Sequence, residues 1–177
     1  QRSADTCADC PTFAYSPAGS GSVVNCSCNQ GYTGPNGEAC LACRAGTYKD
    51  TNGTAECTPC SKGKYSSGIA QLSEATCKYC ANHSYTFSTG SQNRTNCKCN
   101  MGFNGPDGQT CTACPAGTFK DEVGDAECMT CPDGSSSPST SRASTNCTCN
   151  YGFTMIKTAC VLCEAGKYKD TQGPNTC

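Results

Sequence analysis

Apolar residues are scattered along this chain of 177 residues in ones and twos. No stretch holds the spacing of an amphipathic helix, and no apolar run approaches the roughly 20 residues of a membrane span. Strand-like residues come a few at a time, each group followed by turn chemistry. In "TYKDTNGTAEC", "TFKDEVGDAEC" and "KYKDTQGPNTC" a short extended stretch leads to Asp50, Asp121 or Asp170, and then to Gly53, Gly124 or Gly173. Asp opens such turns through its side chain, and Gly supplies the positive φ that closes them. "GYTGPNGEAC" and "GFNGPDGQTC" carry Asn-Gly and Asp-Gly, both hairpin signals. The pattern predicts short β-hairpins separated by irregular chain.

Composition explains why no larger element is expected. Leu, Ile, Val and Phe together number 14, far below the roughly 20% of residues at which a packed core becomes a reasonable expectation. The formal net charge is only −1, so self-repulsion does not keep the chain open. The missing stabilisation falls to 21 cysteines, a density typical of secreted disulfide scaffolds. A bridge closing a loop of about 13–16 residues contributes ~3 kcal/mol in the chain-entropy model. Near-neutral charge gives no reason to expect nucleic acid or an anionic membrane as partner, and nothing in the segment would insert directly into a bilayer.

The cysteines reveal a period. Cys7, Cys57, Cys77, Cys128 and Cys177 fall at equivalent places. Three units share one plan: Cys-x-x-Cys, then Cys-x-Cys, then Cys-x-x-Cys. They divide the chain into repeat one (1–56), a short inserted module (57–76), repeat two (77–127) and repeat three (128–177). Self-similarity of this kind marks a linear array in which each unit touches mainly its neighbours. The simplest pairing joins the second Cys of each doublet to the first of the next. It gives Cys10–Cys26, Cys28–Cys40, Cys43–Cys57, Cys60–Cys77, Cys80–Cys97, Cys99–Cys111, Cys114–Cys128, Cys131–Cys147, Cys149–Cys160 and Cys163–Cys177. Cys7 is left for a partner upstream, so the array is expected to continue beyond both ends, with Gln1 the start of a mature chain or of an excised segment. A crossed one-to-three, two-to-four connectivity is the alternative.

"AGTYKD" at 45–50 returns as "AGTFKD" at 116–121 and "AGKYKD" at 165–170. The structural reading gives Gly a close approach to a bridge, the aromatic a covering role over sulfur, and Lys-Asp the start of the turn. The rival reading makes Lys49, Lys120 and Lys169 a docking row for a partner chain. Tyr32, Phe103 and Phe153 are expected to pack against the following unit and so to set the bend between units.

"CSCNQGYTGPNGEAC" at 26–40 and "CKCNMGFNGPDGQTC" at 97–111 resemble the second half of an EGF-like domain. The continuation "CLACRAGTYKDTNGTAECTPCSKGKYSS" resembles the cysteine-rich repeats named for the ephrin-receptor ectodomain, related in style to tumour-necrosis-factor-receptor modules. The resemblance covers 7–177 and agrees with Cys10–Cys26 and Cys28–Cys40 as the last two bridges of an EGF-like unit. It implies an elongated tandem array of small disulfide-rich modules, mostly irregular with short hairpins and without a large hydrophobic core. It also implies an extracellular or cell-surface setting: receptor ectodomains, matrix proteins, and surface proteins of protists and algae that include flagellar-hair components. The acidic signature of calcium-binding EGF modules is absent, and in repeat three "FTMIKTA" at 153–159 replaces the Gly-Pro-x-Gly turn.

Cys40-x-x-Cys43 with Cys57-x-x-Cys60 has the spacing of a four-cysteine zinc ribbon, as does 111–114 with 128–131. The unbroken alternation with Cys-x-Cys pairs leaves no natural groups of four, so no metal is expected. Five Asn-x-Ser/Thr sequons, at Asn25, Asn52, Asn82, Asn93 and Asn146, agree with secretion and make N-glycans the expected covalent additions, while the Ser/Thr/Pro-rich run 132–145 reads either as an O-glycosylated segment or as a plain polar loop inside the 131–147 bridge. Asn52 is the best exposed of these in expectation, while Asn25 and Asn146 directly precede a bridged Cys. The single His, His83, leaves one possible base for the whole chain, and no nucleotide motif is present, so no catalysis and no cofactor are expected.

Two functions are compatible with this reading. The favoured one is a secreted, glycosylated structural protein whose stacked repeats form or decorate a filament, flagellar hair or matrix, with other copies or other extracellular chains as partners. At ~17–20 Å per hairpin, three units give a rod on the order of 100 Å. The alternative is a ligand-binding ectodomain segment of a receptor or adhesin. The most apolar stretch, "FTMIKTACVL" at 153–162 with Met155 and Ile156, is the expected contact face in either case.

Overall fold

The computed structural model describes residues 7–177; Gln1, read above as a chain start, lies outside them. Among the described residues, regular structure consists of two-stranded antiparallel pairings and four single 3-10 turns, at Val23–Asn25, Glu74–Thr76, Arg94–Asn96 and Ser144–Asn146. Strands are two residues long throughout, except where Phe153–Ile156 pairs with Ala159–Leu162. This is a small disulfide-rich fold of tandem modules.

The ten bridges join each doublet to the next in sequence, from Cys10–Cys26 and Cys28–Cys40 through to Cys149–Cys160 and Cys163–Cys177, across separations of 11 to 17 residues. Cys7 is exposed and outside any bridge among the described residues. Sulfur fills the interior: Cys28, Cys43, Cys60, Cys97, Cys99, Cys114 and Cys149 are fully buried. Large apolar side chains join them at few points, chiefly Phe103, which clusters with Cys99 and Cys111, and Phe119.

Three kinds of loop succeed one another. The first, over 7–26, 57–77, 77–97 and 128–147, has a short strand after the Cys-x-x-Cys doublet, then a serine- or threonine-bearing loop, then a 3-10 turn directly before the closing Cys. The second, over 26–40, 97–111 and 147–160, carries the first strand of a hairpin whose return strand is Leu41–Ala42, Thr112–Ala113 or Ala159–Leu162; in the first two, Gly37 and Gly108 donate to Cys26 O and Cys97 O (both 2.8 Å). The third, over 40–57, 111–128 and 160–177, carries the repeated hexapeptide. The inserted module at 57–76 is therefore a loop of the first kind used twice in succession.

Packing divides the chain into two compact units. One runs to Tyr79 and takes in Thr86–Asn96; the other holds Cys80–Tyr85 and Cys97–Cys177. Within the first, Tyr32 stacks on Phe13 with ring centroids 4.2 Å apart; within the second, Phe103 stacks on His83 at 4.0 Å. The ring of Phe153 lies over Gly134, where an added Cβ would meet it at 2.4 Å. All three aromatics thus pack on the preceding loop of their own repeat, where the sequence suggests packing on the following unit. The cause is a left-handed residue, Phe13 (φ 62°), His83 (φ 62°) or Gly134 (φ 72°), which turns its side chain or its bare Cα under the aromatic ring.

Candidate functional site

The repeated hexapeptide forms the best-defined polar arrangement in the protein. Lys49 and Lys120 are 2% and 1% exposed, and Lys169 is also buried. Each ammonium ends between two backbone carbonyls. Lys49 Nζ donates to Tyr32 O (2.6 Å) and to Gly53 O. Lys120 Nζ donates to Phe103 O (2.8 Å) and Gly124 O (2.5 Å), and Lys169 Nζ to Phe153 O (2.8 Å) and Gly173 O (2.5 Å). The lysine ties the hairpin of one loop to the turn of the next, and the same Gly of that turn donates back to a buried cysteine carbonyl: Gly53 to Cys28 O, Gly124 to Cys99 O, Gly173 to Cys149 O. The docking row of Lys49, Lys120 and Lys169 is therefore corrected. These cations face inward because the turn closing each hexapeptide leaves carbonyls that need donors. Burial lowers the pKa of Lys49 and Lys120, and for Lys120 the charges of Asp107, Asp125 and Glu122 oppose the shift.

Above this clamp the next loop of the first kind docks by backbone bonds. In the first unit, Gly46 donates to Ser66 O (2.7 Å), Lys49 N to Gln71 O (2.9 Å), and Ala70 N to Cys43 O (2.7 Å). In the second unit, Gly117 donates to Ser137 O (2.8 Å), Lys120 N to Ser141 O (3.0 Å), and Thr140 N to Cys114 O (2.9 Å). The docked residues Ala70 and Thr140 have φ of 52° and 61°, and their carbonyls sit where a Cβ on Gly31 or Gly102 would be, at 2.5 and 2.4 Å. Sequence reasoning missed Ala70 and Thr140, since a left-handed Ala or Thr has no compositional mark. Their only signal is their fixed place between a buried Ser and the 3-10 turn.

This geometry yields a controlled prediction. Gly102 and Gly152 occupy equivalent positions with φ of 80° and 73°, but Gly152 has nothing within 4 Å of its notional Cβ. Ala at either site carries the left-handed penalty of about 1–2 kcal/mol. Only Gly102→Ala also displaces a backbone carbonyl, an overpacking cost of about 1–3 kcal/mol. Faster amide exchange at Lys120 and Thr140 is expected in Gly102→Ala, while Gly152→Ala leaves those amides protected. Equal effects would show that the Gly102 contact holds nothing.

The remaining sequence-derived sites lie on the surface. Asn25, Asn52, Asn82, Asn93 and Asn146 are all exposed. Asn52 Oδ1 accepts from Gln30 N (3.0 Å), Asn25 Oδ1 from Ser22 N (3.2 Å), and Asn146 Oδ1 from Ala143 N (3.1 Å). Within the run 132–145, Ser137 and Ser141 are buried and donate to Thr118 O and Pro138 O, so they belong to the joint; Ser139 remains exposed. In the apolar hairpin Met155 is half-buried and Ile156 exposed, with Leu162 exposed on the opposite strand. The doublets with zinc-ribbon spacing, Cys40/Cys43 with Cys57/Cys60, give every sulfur to a disulfide. His83, 8° from coplanar with Phe103, serves as a stacking platform.

Comparison with known proteins agrees with this arrangement. The family model for repeats described as "Tyrosine-protein kinase ephrin type A/B receptor-like" matches residues 51–97 and 102–149, more than half of the chain. "Cysteine repeat modular protein A" of Toxoplasma gondii is 31% identical over 159 residues, covering 82% of this chain and 5% of that protein. "Sushi, von Willebrand factor type A, EGF and pentraxin domain-containing protein 1" of Mus musculus is 30% identical over 136 residues, 75% of this chain and 3% of its own length. "Ephrin type-B receptor 2" of Gallus gallus is 41% identical over 58 residues, 32% of this chain and 6% of the receptor. The chain thus spans a small fraction of each of these relatives. With ten disulfides, two-residue strands and two matched tandem repeats, the chain belongs to the ephrin type A/B receptor-like family of extracellular cysteine-rich repeats.

Proposed function

We propose that the chain is a glycosylated structural segment that forms or decorates an extracellular filament, flagellar hair or matrix by stacking its disulfide-bonded repeats. The observation that carries this reading is the uniformity of the joints. The same buried lysine, the same pair of carbonyls and the same docked loop recur, whereas a ligand site on one module needs that module to differ. The reading assigns no reaction and no cofactor. It places N-glycans at Asn52, Asn82, Asn93, Asn25 and Asn146, and names other copies or other extracellular chains as partners. A ligand-binding receptor or adhesin segment is the second reading. It draws support from the likeness to Ephrin type-B receptor 2 and from the hairpin Phe153–Leu162, the one hairpin with four-residue strands among those described.

Electron microscopy of the native, glycosylated full-length protein released from its cell surface tests the choice. Regular filaments with a repeat commensurate with these modules are expected. Isolated, unassembled particles would overturn the structural reading and turn the search to a ligand.

A further inference from the structure

We propose that the inserted module carries a binding site for acidic glycans, built on the Tyr79 ring with Lys64, Glu74 and Lys78 around it. This goes beyond the stacking of the repeats, since the site lies on a hairpin in mid-chain and not in the backbone bonds of a joint. The hairpin of Lys64–Tyr65 with Lys78–Tyr79 is the one of its kind that departs from the rest. In the other loops of the first kind the equivalent pairs are Ala14 opposite Cys28, Ser84 opposite Cys99 and Ser135 opposite Cys149, each a small residue facing a fully buried half-cystine. The inserted module is closed by Cys77-x-x-Cys80 where the others have Cys-x-Cys, so Tyr79 stands in the place of that cysteine. It turns outward and is 77% exposed. Lys64 is its direct partner across the strands, and such partners share a face of the pair.

Lys64 Nζ lies 4.7 Å from the centroid of the Tyr79 ring and donates to Glu74 Oε1 at 2.7 Å. Glu74 comes from the 3-10 turn directly before Cys77, whose bridge to Cys60 closes the loop. The hydrogen bond to Glu74 raises the Lys64 pKa, against the opposing effect of burial, so a cation is held on the ring. The ring is thereby fixed, with its polar tip and most of its surface open to water. A tyrosine held in this way offers a rigid, amphipathic contact at small entropic cost. A pyranose meets such a ring with its C–H face, while its hydroxyls need a donor and an acceptor at the edge, and the Lys64–Glu74 pair supplies both. Lys64, Glu74, Ala75, Cys77, Lys78 and Tyr79 line an open groove of ≈ 600 Å³, a volume in the range of small-ligand sites. Charge selects the class of glycan. Between Cys57 and Cys80, Lys62, Lys64 and Lys78 stand against Glu74 alone, so this module is positive in a chain of net charge −1. Lys62 and Lys78 are exposed and belong to no ion pair among the described residues. Uronate carboxylates or sulfate esters are the sugar groups that complement such cations.

NMR titration of the disulfide-bonded chain with tetragalacturonate, a heparin tetrasaccharide and neutral cellotetraose tests the site. Saturable shifts of the Lys64, Glu74 and Tyr79 amides are expected with an acidic probe, and the two acidic arms show whether carboxylate or sulfate is preferred. Tyr79→Ala, at an exposed position, should weaken that binding about tenfold while amides outside the hairpin keep their shifts. Lys78→Gln should weaken it at low ionic strength, an effect that shrinks as salt rises. Tyr15→Ala, which removes an exposed tyrosine from the corresponding hairpin of the first repeat, should leave it unchanged. Failure of both acidic probes to bind, equal binding of cellotetraose, or an affinity that Tyr79→Ala leaves unaltered would overturn the site, the last by reducing it to diffuse attraction between lysines and a polyanion. Microscopy of native filaments bears on the stacking of the repeats alone, so the two proposals fail separately.

Discussion

Reduction of the disulfides under otherwise native conditions is expected to abolish the fold as a whole, seen as collapse of amide dispersion in the ¹H–¹⁵N spectrum while free thiols appear by mass shift. Nearly all the buried apolar residues are cysteines, and the one cluster of them among the described residues is two cysteines around Phe103. Two-stranded hairpins are marginal on their own, and most of these strands are two residues long. Each bridge closes 11 to 17 residues and contributes on the order of 3 kcal/mol in the chain-entropy model, so their joint loss leaves nothing of comparable size to oppose conformational entropy. The loss should be graded among single pairs. Removing Cys99–Cys111, which packs on Phe103, should cost more than removing Cys163–Cys177, whose sulfurs are only half-buried. A reduced chain that kept a dispersed spectrum would mean that packing, and not the bridges, holds the modules.

The sequence made the architecture legible because cysteine spacing is a discrete signal. Once alternating doublets are aligned, the choice between neighbouring and crossed pairing is small, and turn residues such as Gly53, Gly124 and Gly173 sit at the expected left-handed positions. The direction of side chains was not legible. Lys49, Lys120 and Lys169 lie between aromatic and acidic residues in a polar stretch, where a cation ordinarily points to water. Only the closed turn, with its inward carbonyls, reverses that preference. Tyr32, Phe103 and Phe153 misled for a related reason: their partners Phe13, His83 and Gly134 share a backbone conformation and no residue type.

Lys120→Met is the substitution that separates these views of the hexapeptide most sharply. Methionine keeps the length and apolar stem of the side chain but removes the donors to Phe103 O and Gly124 O. Hydrogen bonds to a charged group contribute roughly 1.5–3 kcal/mol each, so loss of the pair is expected to cost about 3 kcal/mol after the relief of desolvation is counted. Denaturant unfolding with the disulfides intact would show it as a lower midpoint at unchanged slope, accompanied by faster exchange of the Gly124 amide. Lys120→Arg should fail to rescue, since a planar guanidinium does not fit a site shaped for one compact ammonium. The pH dependence carries a second signature. Burial lowers the folded-state pKa of Lys120, whereas the unfolded chain titrates at the ordinary lysine value. Between those two values the unfolded state holds more protons, so wild-type stability should rise with pH through that window, and below it the desolvation cost is present in full. Lys120→Met should lack that part of the rise. If the variant is as stable as wild type at neutral pH and follows the same alkaline profile, the buried lysines are not the clamps that make the joints alike, and the argument for a structural array loses its main support.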